Sequence, residues 1–150
     1  IYYYTIILMV KLDIERLLNA VENDKMENII DYNLSDIKQI KNNVLQQLNL
    51  SREKLKLLNQ KLKNYRFIDG IDSLESGYYY RWIKLNNPKD IKLTLGAYLC
   101  DIDINPDGVH LKFITHTKQH WQVRMNEIFL FQRLTDDENV ILSALKYLNK

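Results

Sequence analysis

The chain has 150 residues, 46% of them apolar and 27% charged, with a formal net charge of +2. This is the profile of a soluble globular protein and excludes collagen-like, mucin-like and broadly disordered classes. The length suits one core with an extended appendage rather than two full-sized domains, and four glycines and two prolines disfavour long loops and glycine-rich phosphate cradles.

The first ten residues are almost wholly apolar, but they lack a basic flank and fall short of the roughly 20 residues a bilayer span needs. Neither a transmembrane helix nor a signal peptide is expected there. Met9 reads as the native start, with residues 1–8 an upstream extension of the reading frame. If translated, residues 2–10 are β-branched and aromatic enough for a strand. Ile14, Leu17, Leu18 and Val21 then recur at helical spacing, which predicts a short amphipathic helix over residues 13–22. Residues 1–34 form an N-terminal segment on this reading.

Charge divides the chain sharply. Residues 1–35 hold three bases and six acids, residues 36–66 eight and two, and residues 67–150 ten and eleven. The basic block coincides with an apolar stripe of Ile37, Ile40, Val44, Leu48, Leu55, Leu58, Leu62 and Tyr65, introduced by Ser35 as N-cap. The stripe follows a heptad rhythm interrupted at Ser51 and predicts a long, coiled-coil-like basic helix over residues 35–66, about 30 residues and on the order of 45 Å long. Such a helix is expected to project, as an oligomerisation or partner-binding arm. The alternative breaks it at Asn49-Leu50-Ser51, where Ser51 caps the second helix of a hairpin.

Beyond Asp69-Gly70 the period changes to two. In residues 77–85 (GYYYRWIKL), Tyr78, Tyr80, Trp82 and Lys84 share one face, and Tyr79, Arg81, Ile83 and Leu85 the other. Residues 91–104 supply extended chain with Gly96 as a bulge or close approach, and Asn105-Pro106-Asp107-Gly108 reads as a hairpin turn. Residues 109–115 form the return strand, residues 116–119 a turn and residues 120–134 one or two further strands. Four or five short antiparallel strands predict a small SH3-like barrel. Thr135-Asp136-Asp137-Glu138 is a capping box opening a final helix whose apolar face is Val140, Ile141, Ala144, Leu145 and Leu148. The fold class expected is therefore α+β: N-terminal amphipathic helices, then a small antiparallel barrel and C-terminal helix over residues 67–150.

Little in the chain assembles chemistry. Asp103 to Gly108 begins like a calcium loop, but Ile114 stands where a bidentate Glu is required and the flanking sequence alternates as a strand. His116 and His120 have part of a zinc spacing and lack further ligands. Cys100 cannot form an intramolecular disulfide, which points to a reducing compartment, and reads as a small buried residue at a strand end. No nucleotide-binding or nucleophile motif is present. No catalytic residue, metal ligand or cofactor is expected, and the protein is read as not an enzyme. Basic and aromatic residues interleave, so single-stranded nucleic acid is a possible ligand, through Arg52, Lys54, Lys56, Lys61, Lys63, Tyr79 and Arg81.

The order of GYYYRWIKL (77–85), LTLGAYLCDI (93–102) and HWQVRMNEIFLFQRLT (120–135) resembles that in small virion- or assembly-associated proteins of nucleocytoplasmic large DNA viruses. This chain has Gly96 alone where that pattern has a glycine pair. The resemblance implies a non-enzymatic role, as a minor capsid or virion-associated protein in the particle or the host cytoplasm, with capsid or other virion proteins as partners. The leading expectation is thus a structural docking module with a helical spacer, able to form a homo-oligomer. Nucleic-acid binding by basic helix and strand aromatics is the alternative.

Overall fold

A computed structural model describes residues 34–148, so the strand expected over residues 2–10 and the helix expected over 13–22 lie outside the described residues. The elements are α1 (Leu34–Gln46), α2 (Arg52–Lys61), β1 (Tyr65–Ile68), β2 (Tyr79–Lys84), β3 (Ala97–Asn105), β4 (Gly108–Ile114), β5 (His120–Arg124), β6 (Ile128–Arg133) and α3 (Asp136–Leu148), with 3₁₀ turns at Ile71–Ser73 and Met125–Glu127. They group into two units, residues 39–133 and residues 34–38 with 134–148.

The long helix expected over residues 35–66 is not formed. After α1 the amides of Gln47, Leu48 and Asn49 donate to the carbonyls three residues back, tightening the chain. Asn49 then adopts φ +53°, a left-handed conformation that asparagine tolerates better than most residues. Ser51 caps α2, its Oγ accepting the Lys54 amide at 3.3 Å. Helices of 13 and 10 residues replace the projecting arm. They lie against each other, with Asn59 Nδ2 donating to Asn42 Oδ1 at 3.5 Å. Val44, Leu45, Leu58 and Leu62 pack there with Ile83 and Phe131 of the sheet. From Val44 to Leu62 the heptad rhythm therefore spans two helices that share one core. Ser35, expected as an N-cap, lies within α1, and Tyr65 opens a strand rather than ending a helix.

All strand pairings are antiparallel, in the order β1-β6-β2-β3-β4-β5. The sheet is open, with β1 and β5 as edges, and is not the SH3-like barrel expected. The 3₁₀ turn after β5 leads into β6, which inserts between β1 and β2 and sets Phe131 opposite both Phe67 and Arg81. That leaves β5 with a partner on one side alone among the described residues. One face buries Ile68, Tyr80, Trp82, Leu99, Leu111, Phe113, Val123, Ile128 and Leu130 against each other. Trp82 of β2 stacks on Phe113 of β4 with centroids 4.3 Å apart and planes at 23°. In a flat sheet those strands would be about 10 Å apart, so the sheet curls around this pair. A register shift between Leu99 and Asp101 leaves Cys100 as the extra residue of a bulge. Cys100 is exposed there, not buried at a strand end as expected.

In the smaller unit the capping box forms reciprocally. The Thr135 amide donates to Glu138 Oε1, and the Glu138 amide to Thr135 Oγ1, both at 3.1 Å. Ile37, Leu134, Ile141 and Leu142 close a small apolar cluster. Among the described residues, no helix is long and apolar enough to cross a membrane.

Candidate functional site

The second face of the sheet, on which α1 and α2 pack through Tyr65, Ile83 and Phe131, carries a cluster of tyrosines and arginines. Strand alternation puts Tyr79 and Arg81 on this face, and register puts Tyr79 opposite Tyr98 and Tyr65 opposite Arg133. Tyr79 is held on every side. Its hydroxyl donates to the Leu95 carbonyl at 3.0 Å, and its ring meets that of Tyr98 edge-to-face at 5.0 Å. Gly96, at φ +112°, lies so close that an added Cβ would sit 2.6 Å from Tyr79 Cε1. The Arg133 guanidinium rests over the ring, 4.6 Å from its centroid.

Arg81 is placed by a second set of contacts. Its Nε donates to the Thr94 carbonyl at 2.7 Å, and its guanidinium stands 6.0 Å from the Tyr65 ring centre. Burial pushes the Tyr65 phenol above its ordinary range, while the charges of Arg81 and Arg133 pull it back. Both guanidiniums are thus felt at one tyrosine.

α2 adds charge on this side of the sheet. Leu58 and Leu62 are buried and Leu55 is partly buried, while Arg52, Lys54, Lys56, Lys61 and Lys63 are all exposed. At 100° per residue, Arg52 and Lys56 lie on one flank of the buried stripe and Lys54 and Lys61 on the other. Lys63 follows in the turn that leads to β1. None of these five, nor Arg81 or Arg133, makes an ion pair among the described residues; Lys92–Asp90, Lys112–Asp101 and Arg124–Glu127 are among the ion pairs that do form. Residues 39–133 hold fifteen Lys and Arg against nine Asp and Glu. The near-neutral balance of residues 67–150 arises in part from Asp136, Asp137 and Glu138, which belong to the other unit.

The predicted stripe is dispersed. Ile37 belongs to the smaller unit's cluster, and Val44, Leu58, Leu62 and Tyr65 are buried in the larger one. Leu48 and Leu55 are partly buried there, and Ile40 is 38% exposed. Of the residues proposed to touch nucleic acid, Tyr79 and Arg81 come together in the cluster, while the four α2 bases and Lys63 of the following turn are all exposed. The close approach expected at Gly96 is present, against the Tyr79 ring, whereas sequence reading missed Arg133 and Tyr98, because strand alternation assigns faces but not which strands are neighbours. It also missed Lys41, a buried ammonium that donates to the carbonyls of Leu62 at 2.7 Å and Tyr65 at 3.0 Å, at the end of α2.

Elsewhere, His116 and His120 are exposed, and among the described residues no three His, Cys, Asp or Glu side chains gather as metal ligands. A cleft of about 320 Å³, where β2 and β5 end, is lined by Lys84, His110, Gln122, Arg124 and Glu127 among others. Some of its polar groups engage each other, with Gln122 Nε2 3.3 Å from His110 Nδ1 and Arg124 4.0 Å from Glu127, while the buried His110 Nε2 has no hydrogen-bond partner among the described residues. Comparison with models of protein families, with curated proteins and with solved structures finds no match to this chain.

Proposed function

We propose that this chain binds nucleic acid through the α2 surface and the adjoining arginines, without catalysing a reaction. The observation that carries the reading is a set of seven cationic side chains, Arg52, Lys54, Lys56, Lys61, Lys63, Arg81 and Arg133, none ion-paired among the described residues. Exposed bases are ordinarily interspersed with acids, and here Glu53 is the one acid on α2. A polyanion supplies the missing counter-charge, and release of its condensed cations drives association. Titrating a fluorescent oligonucleotide at several salt concentrations tests this: log K should fall linearly with log salt. No binding at low salt, or binding indifferent to salt, contradicts the reading.

A second reading is favoured by a different feature, the edge strand β5. Among the described residues it pairs with β4 alone, and it holds Trp121 50% exposed, so within them it offers a strand edge with an aromatic anchor. This supports a protein-docking role of the kind the viral resemblance implies, as a minor capsid or virion-associated component. It predicts that Trp121→Glu abolishes co-assembly with a virion protein partner while leaving oligonucleotide affinity unchanged. Retained co-assembly contradicts it.

A further inference from the structure

Tyr79 is the aromatic that strand alternation offers to a ligand, yet its hydroxyl, its edge and its ring surface are engaged by Leu95, Tyr98, Gly96 and Arg133. What it presents to solvent is what it supports. Tyr98 lies directly opposite it in the β2–β3 register and remains 39% exposed. Arg133 is likewise exposed, and it has no carboxylate partner among the described residues. Both are anchored on the same ring, at 5.0 and 4.6 Å from its centroid. Beside them Leu95 is 89% exposed, its carbonyl held by the Tyr79 hydroxyl. Two flat, π-rich groups and an aliphatic side chain thus share one fixed support, within a strongly cationic unit.

We infer that Tyr98 and Arg133 form a stacking subsite for an unpaired nucleobase, so the nucleic acid bound is single-stranded. The inference rests on the nucleic-acid reading above and names the form of ligand that this site takes. A base inside a duplex has both faces covered by its neighbours and its edge paired. A tyrosine ring and a guanidinium plane on a sheet surface can reach a base face only where the strand is open. Arg81 and the α2 bases then serve the phosphates on either side. The support is rigid because Tyr79 cannot swing away: its hydroxyl bond, the Tyr98 ring and the Arg133 guanidinium fix it over Gly96. The base therefore meets a surface already in place.

Three fluorescent probes of equal length test the inference by anisotropy: single-stranded oligothymidine, a duplex, and an abasic strand with the same phosphates and no bases. The single strand should bind at least several-fold tighter than the other two. Tyr98→Ala should weaken the single strand by roughly fivefold to a hundredfold, the range for one base–aromatic stack, without changing the salt slope. Tyr98→Phe, which keeps the ring, should restore binding and exclude misfolding as the cause. If all three probes bind alike, or Tyr98→Ala weakens all three equally, the stacking subsite is refuted while nucleic-acid binding stands. If no probe binds, both readings fail together.

Discussion

Arg133 lies over the ring of Tyr79 at 4.6 Å, and that ring in turn occupies the space where any residue but glycine at position 96 would put its Cβ. Three strands or connections thus contribute one layer each to a single stack. Gly96→Ala has two faults, a φ of +112° that L-residues rarely adopt and a Cβ 2.6 Å from Tyr79 Cε1. It should destabilise the protein by about 1–3 kcal/mol in urea unfolding. It should also weaken oligonucleotide binding by displacing Arg133. An Ala variant of unchanged stability would show that the close approach is not a constraint.

Lys41 joins α1 to the end of α2 and the start of β1 through two charge-assisted hydrogen bonds. Lys41→Met keeps the aliphatic stem and removes the ammonium. The expected loss is about 2 kcal/mol, the scale for hydrogen bonds from a charged donor. Chemical denaturation would measure it, and a loss near zero would mean that the carbonyls find other donors.

In the smaller unit Thr135→Ala removes the acceptor for the Glu138 amide. Loss of an N-cap of this kind costs about 1 kcal/mol. Amide exchange in the first turn of α3 should speed up accordingly, with no change in the sheet.

Tyr65 predicts a pH effect of definite sign. Burial raises its pKa in the folded state above 10, so folding favours the neutral phenol. The stability this group contributes is fully present below pH 10 and is lost as pH rises through the folded-state pKa. Unfolding free energies measured between pH 9 and pH 12 should therefore fall more steeply for the native chain than for Tyr65→Phe. Parallel curves would contradict the shift.

Local signals were the readable part of this chain. The alternation of Tyr79–Lys84, the Asn105–Gly108 turn and the Thr135/Glu138 capping box each depend on contacts within a few residues. The errors came where distant segments decide. A heptad rhythm from Val44 to Leu62 looks the same whether the helix is continuous or folds back on a shared core, and Asn49 and Ser51 carried the break. Whether a sheet closes depends on the neighbours of β5 and β6, which no residue pattern states. The candidate site was visible as its parts, Tyr79, Arg81 and the α2 bases. Arg133 and Tyr98 joined them only through the β1–β6 and β2–β3 registers.

The central claim is that unpaired positive charge on α2 and the turn after it binds a polyanion. Its most direct test replaces Arg52, Lys54, Lys56, Lys61 and Lys63 together by Gln and measures oligonucleotide affinity against salt. All five side chains are exposed, so the fold should survive, as circular dichroism would verify. Each phosphate contact removed should reduce the slope of log K against log salt by about 0.7, and affinity at low salt should drop by more than tenfold. A variant with native affinity and native slope would contradict the account.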